Sequence, residues 1–125
     1  MRKTAIAFCV LALAATAQSP GVKRTLLQRI DVPDSNRETV LGMAEIAAGG
    51  SAGRHTHPGV EVTYVLQGSA QLLIDGEAPR LVKAGESFTI PAGKVHDAKV
   101  VGGSPLKVLA TYVVEKGKPL ASPAP

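Results

Sequence analysis

At 125 residues and a formal net charge of +4, the chain is long enough for one domain and too short for two comfortable ones. Its lysines and arginines form no block and only 3% of its residues are aromatic, so nucleic-acid binding finds no support in the composition. The single cysteine, Cys9, excludes a disulfide framework within the chain.

The first residues read as a secretory signal. Arg2 and Lys3 form a basic start, Thr4 to Ala14 is an apolar run, and Ala15-Thr16-Ala17 has the small-x-small form of a cleavage site. The apolar run is shorter than the roughly 20 residues of a spanning helix. Cleavage after Ala17 is therefore expected, which assigns residues 1–17 to the signal and places the mature protein in the periplasm or outside the cell, with no membrane insertion afterwards. Cleavage would remove Cys9, and the loss of Arg2 and Lys3 would halve the formal charge, so the sequence pI of 9.5 overstates the basicity of the working protein.

Residues 18–23 are polar or turn-prone and are expected to be a flexible lead-in. Arg24 to Val32 reads as a first strand at a sheet edge, its charges guarding against stray pairing. After a turn at Pro33 to Asn36, Thr39 to Ala47 reads as a strand with a bulge or bend at Gly42. The glycine-rich stretch Gly49 to Gly53 lacks the lysine and following helix of a phosphate loop, and instead supplies tight backbone turns.

Glu61 opens EVTYVLQ, a strand by its β-branched and aromatic content. Short strands then follow at SAQLLID, PRLVK, SFTI, HDAKVV and Leu106 to Glu115, broken by turns at Gly76-Glu77, Ala84-Gly85-Glu86, Pro91 to Gly93 and Gly102 to Pro105. Such spacing, with no helix of normal length, predicts an all-β sandwich or barrel. The domain is placed at residues 24–115. The proline-rich residues 116–125 are expected to hang free as a flexible tail.

The chemistry concentrates at two places. His55 and His57 are one residue apart, so in an extended segment both rings point the same way. Pro58-Gly59 can swing the chain so that Glu61 faces them, and the third histidine, His96, follows PAGKV. Imidazoles beside a carboxylate suit a divalent first-row metal such as Fe, Mn, Co, Ni, Cu or Zn.

These residues resemble the cupin superfamily. Gly49, His55, His57, Glu61 and Gly68 match its first motif at every defined position, and Gly85, Pro91, Gly93 and His96 match the second. The departure is Val100, where the second motif often ends in an Asn that is not a metal ligand. The resemblance implies a small RmlC-like cupin: a jelly-roll or double-stranded β-helix barrel holding one divalent metal on His55, His57, Glu61 and His96. A homodimer is also expected by resemblance.

Counting by twos from the ligands places Thr63, Val65 and Gln67, Ala98 and Val100, and Phe88 and Ile90 inside the barrel. Tyr64 by parity faces the other sheet as a packing residue. Acid-base candidates are few: Glu61 if it leaves the metal, or Tyr64 and Tyr112 if the parity differs; no catalytic residue is assigned. A mostly apolar cavity with open metal positions favours a dioxygenase-like oxidoreductase acting on a small chelating substrate. The alternative is a non-catalytic, metal-dependent binding protein for a small carboxylate or carbohydrate.

Overall fold

Alternation is clearest along Gly59–Gln67, where Gly59, Glu61, Thr63 and Val65 are buried while Val60, Val62, Tyr64 and Leu66 face out. That two-residue period is what a strand with one covered face requires. The computed structural model describes residues 21–125. The signal sequence expected over 1–17, with Cys9 and the first part of the lead-in, lies outside the described residues.

The chain forms β1 (Val22–Asp31), β2 (Arg37–Ile46), β3 (His55–Thr56), β4 (Gly59–Gln67) and β5 (Ser69–Ile74). It continues through β6 (Arg80–Lys83), β7 (Ser87–Ile90), β8 (His96–Val101), β9 (Leu106–Glu115) and β10 (Ser122–Pro123). One sheet has the order β1-β2-β9-β4-β7 and the other β10-β3-β8-β5-β6, with every neighbouring pair antiparallel. Two such sheets facing one another make the jelly-roll barrel, and no helix occurs among the described residues.

The inner face has two ends. Glu61 lies opposite Tyr112, Thr63 opposite Ala110 and Val65 opposite Val108, so moving along β4 carries the interior from polar to apolar. At the apolar end Val65, Leu72, Val82, Phe88, Ile90, Val100 and Leu106 form the core, each worth about 1.5–3 kcal/mol when fully buried. This packing fixes the strands on which the polar end depends. Gly59 is required by the same packing, since a Cβ there would collide with the Val113 carbonyl oxygen on β9.

Several expectations are corrected. The first strand begins at Val22, not Arg24, because Val22 is buried in the core and draws its end of the chain into the sheet. The bulge expected at Gly42 falls instead on the partner strand, between Leu26 and Gln28 opposite Gly42 and Leu41. A second irregularity between Val65 and Gln67 ends the inward alternation, and Gln67 is exposed. Tyr64 is 47% exposed on the outer face of its sheet, which no second layer among the described residues covers. The tail does not hang free: Ser122 and Pro123 pair with Thr56 and His55, and the Ala124 N–H donates to the Arg54 carbonyl.

Candidate metal centre

Two strands and one turn bring the histidines together. His55 lies on β3 directly across from His96, which opens β8, and His57 follows β3 just before the turn into β4. Ring centroids are 4.2 Å apart for His55 and His96, 4.8 Å for His55 and His57, and 5.0 Å for His57 and His96. One nitrogen from each ring lies within 4.8 Å of the other two, so the three histidines can hold a metal ion. His57 and His96 are buried and His55 is partly so.

Backbone carbonyls set the direction of each ring. Nδ1 of His55 donates to the Gly53 carbonyl at 2.6 Å, Nδ1 of His96 to the Lys94 carbonyl at 2.9 Å, and Nδ1 of His57 to the Leu120 carbonyl at 2.7 Å. A carbonyl only accepts, so the neutral imidazole that makes this bond carries its hydrogen on Nδ1 and presents a lone pair at Nε2. For His55 and His96 the carbonyl comes from two residues earlier, where the turns at Gly53 (φ 82) and Gly93 (φ 71) reverse the chain. Bonds of this kind orient the rings of histidines in metal sites.

Glu61 completes the arrangement. Its Oε1 accepts from the Thr63 hydroxyl at 2.6 Å, while Oε2 lies 3.1 Å from His57 Nε2 and 3.2 Å from His96 Nε2. Glu61 Oε2, His57 Nε2 and His96 Nε2 are all buried without a hydrogen-bond partner among the described residues. Lone pairs facing one another in a buried space repel unless a cation lies among them. Two imidazole nitrogens and a carboxylate oxygen, with His55 beside them, form a donor set suited to a divalent first-row ion.

Charge follows the same logic. Burial holds the His55 pKa down to about 4, so that ring is neutral and able to ligate at physiological pH. Burial alone would favour a protonated Glu61, but its contacts with His57, His96 and the Thr63 hydroxyl hold its pKa well below the usual carboxylate range. Burial opposes charge on His96, and the Glu61 carboxylate outweighs it and raises the pKa. The ionised carboxylate thus draws positive charge into the cluster, whether from a proton or from a metal.

The histidine cluster opens on a cavity of about 50 Å³, bordered by His55, Glu61, His96 and Tyr112 and otherwise mainly by apolar side chains. Phe88 and Ala98, expected inside, border it; Val65, Ile90 and Val100 lie in the adjoining core, and Thr63 is spent on Glu61. Tyr112 stands 4.6 Å from the His57 ring, centroid to centroid, and is a residue of the site. In the sequence it is only a conditional candidate, and neither Arg24, which also borders the cavity, nor the Leu120 carbonyl carries a motif that would single it out.

A family model described as a cupin domain matches residues 42–112, more than half of the chain. The chain belongs to the cupin family. This cupin is 38% identical over 87 residues to germin-like protein subfamily 2 member 2 of Arabidopsis thaliana, a match covering 65% of this chain and 40% of the relative's length. Among solved structures, a recombinant oxalate oxidase in complex with glycolate superposes with a TM-score of 0.67 at 25% identity, over 84% of this cupin and 56% of that chain. The polyketide cyclase RemF from Streptomyces resistomycificus superposes with a TM-score of 0.63 at 29% identity, over 81% and 70% respectively.

Proposed function

We propose that this cupin is an exported, metal-dependent oxidoreductase of dioxygenase-like character acting on a small chelating substrate. The observation that carries the proposal is the convergence of buried, unpartnered Nε2 and Oε2 atoms on a small, mostly apolar cavity. In this reading His55, His57, His96 and Glu61 hold one divalent ion, Fe, Mn, Ni, Cu, Co or Zn. When bound, the ion supplies Lewis-acid and, for the redox-active metals, electron-transfer chemistry at its open positions.

The protein's own residues do the rest. Thr63 fixes the Glu61 carboxylate, leaving Oε2 directed at the histidines. Phe88, Leu72, Ala98 and Val108 keep bulk water from the cavity, which strengthens polar interactions inside it. Burial and the nearby Glu61 charge raise the Tyr112 pKa, so its hydroxyl stays protonated and can donate to a bound oxygen. The similarity to an oxalate oxidase in complex with glycolate supports small oxygen-rich substrates.

A second reading, a non-catalytic binding protein for a small carboxylate or carbohydrate, is favoured by one feature. Apart from the proposed ligands, only Tyr112 and Arg24 among the cavity residues are ionisable, and neither is a base at neutral pH. Oxygen uptake by the metal-loaded protein with oxalate, glycolate and related acids separates the two. Turnover supports the oxidoreductase, whereas ligand-induced stabilisation without turnover supports the binding protein.

The proposal includes export and a homodimer. Mass measurement of protein recovered from the periplasm or medium checks cleavage after Ala17. Support for pairing is the exposed apolar row Val60, Val62, Tyr64 and Leu66, which sedimentation of wild type beside Val62→Lys examines.

A further inference from the structure

Arg24 occupies an unusual place for an edge-strand arginine. It lies two residues after Val22, whose side chain is in the core, on a strand otherwise exposed, so the shared strand face places Arg24 at the solvent-facing rim of the cavity. Its cross-strand neighbour is Ala44, itself opposite Val108, and the small alanine leaves room for a long side chain above the core. Arg24 accordingly borders the cavity with Ala44, Ala52, His55 and Tyr112.

Its charge is uncompensated. Arg29, Arg54, Lys107, Lys116 and Lys118 are ion-paired, whereas Arg24, like Lys23, Arg37, Arg80, Lys83, Lys94 and Lys99, makes no ion pair or side-chain hydrogen bond among the described residues, and of these it alone borders the cavity. Residues 1–20 contain no aspartate or glutamate that could supply one. Glu61, the one acid bordering the cavity, is engaged by Thr63 and the histidines. The Tyr112 phenol is close enough to feel both charges: burial and Glu61 raise its pKa, and Arg24 opposes them.

A guanidinium facing a largely apolar cavity, with a phenol beside it and a lone-pair cluster beyond, is suited to a small molecule with an anionic end and a second oxygen donor. Size narrows the class. At roughly 10–15 Å³ per water, a cavity of about 50 Å³ takes about four waters, or an acid of about four to six heavy atoms.

We propose that Arg24 is the specificity determinant of this cavity, holding the carboxylate of a two- or three-carbon acid whose second oxygen is directed at the histidine cluster. The proposal rests on the metal-centre reading above for that second oxygen alone. Tyr112 donates a hydrogen bond to the same ligand. Carbohydrates lack the anionic group that a guanidinium selects, so Arg24 argues against them.

Calorimetric titration of wild type, Arg24→Gln and Arg24→Lys with oxalate, with glycolate and with uncharged glycolamide tests this, in both metal-loaded and metal-free protein, with metal content measured on each sample. The expected result is that the acids bind wild type at least tenfold more tightly than glycolamide. Arg24→Gln loses about tenfold to a hundredfold of the acid affinity, as for other charged hydrogen bonds, with metal content unchanged. Arg24→Lys recovers part of it. Equal acid affinity in wild type and Arg24→Gln, equal binding of glycolamide, or no binding of either acid overturns the proposal. If wild type takes up no metal, the metal-centre reading fails separately, and the metal-free titrations still decide the role of Arg24.

Discussion

His57 and Leu120 are 63 positions apart in the chain, yet the His57 Nδ1–H donates to the Leu120 carbonyl at 2.7 Å. The orientation of a buried ring in the cluster therefore depends on the tail. The tail is held there by the Ser122–Thr56 and Pro123–His55 pairing and by Arg54, whose Nε donates to the Pro125 carbonyl at 2.6 Å while its other nitrogens grip Asp75 at 2.8 and 2.9 Å.

Deleting residues 119–125 is expected to weaken metal binding by about tenfold to a hundredfold, as removal of an outer-shell partner does elsewhere. The core strands contact no part of this segment in the core cluster, so circular dichroism of the truncated protein is expected to remain that of the folded barrel. Competition against a chromogenic chelator measures the affinity. Unchanged affinity in a folded truncation would remove the tail from the account of the site.

Thr63→Val replaces the only hydroxyl donating to Glu61 Oε1 among the described residues with a methyl group of similar size. It leaves a buried carboxylate oxygen unpaired, at a cost of about 1–3 kcal/mol. The Glu61 pKa rises with the loss of that bond. Urea unfolding is expected to show the stability loss.

The metal-free protein is expected to lose stability as pH falls from 6.5 toward 4. Burial lowers the His55 pKa from 6.5 to about 4, so between those values the unfolded chain binds a proton that the folded chain does not. The full effect amounts to about 3 kcal/mol at most. His96 acts in a different window: Glu61 raises its pKa, so its contribution is complete below the unfolded value of 6.5 and is lost as pH rises through the folded value. Denaturant midpoints from pH 4 to 8 in wild type and His55→Gln check this, with the acid limb flattened in the variant.

How much of this was legible beforehand varies with the kind of interaction. β9 runs Leu106–Glu115, as expected, because it holds no internal Gly or Pro and is bounded by Gly102 to Pro105. The single residue between His55 and His57 was enough to place both rings on one side, and His96 after its glycine turn arrives opposite His55. The rest depended on register and carbonyls, which side-chain patterns do not encode. Tyr112 is inward because it shares a face of β9 with buried Val108, Ala110 and Val114, which sets it against Glu61. Gln67 leaves the interior because of an irregularity beside it. The tail binds largely through its backbone, so three prolines among small residues concealed a strand.

Elemental analysis decides whether the cluster holds a metal, using protein purified without chelator beside a Glu61→Ala variant whose fold is verified by circular dichroism. About one equivalent of a single divalent transition metal is expected in wild type, strongly reduced in the variant. No metal in wild type, and none taken up when Fe, Mn, Ni, Cu, Co and Zn are each offered, would contradict the metal-centre reading, as would a variant that retains the metal in full.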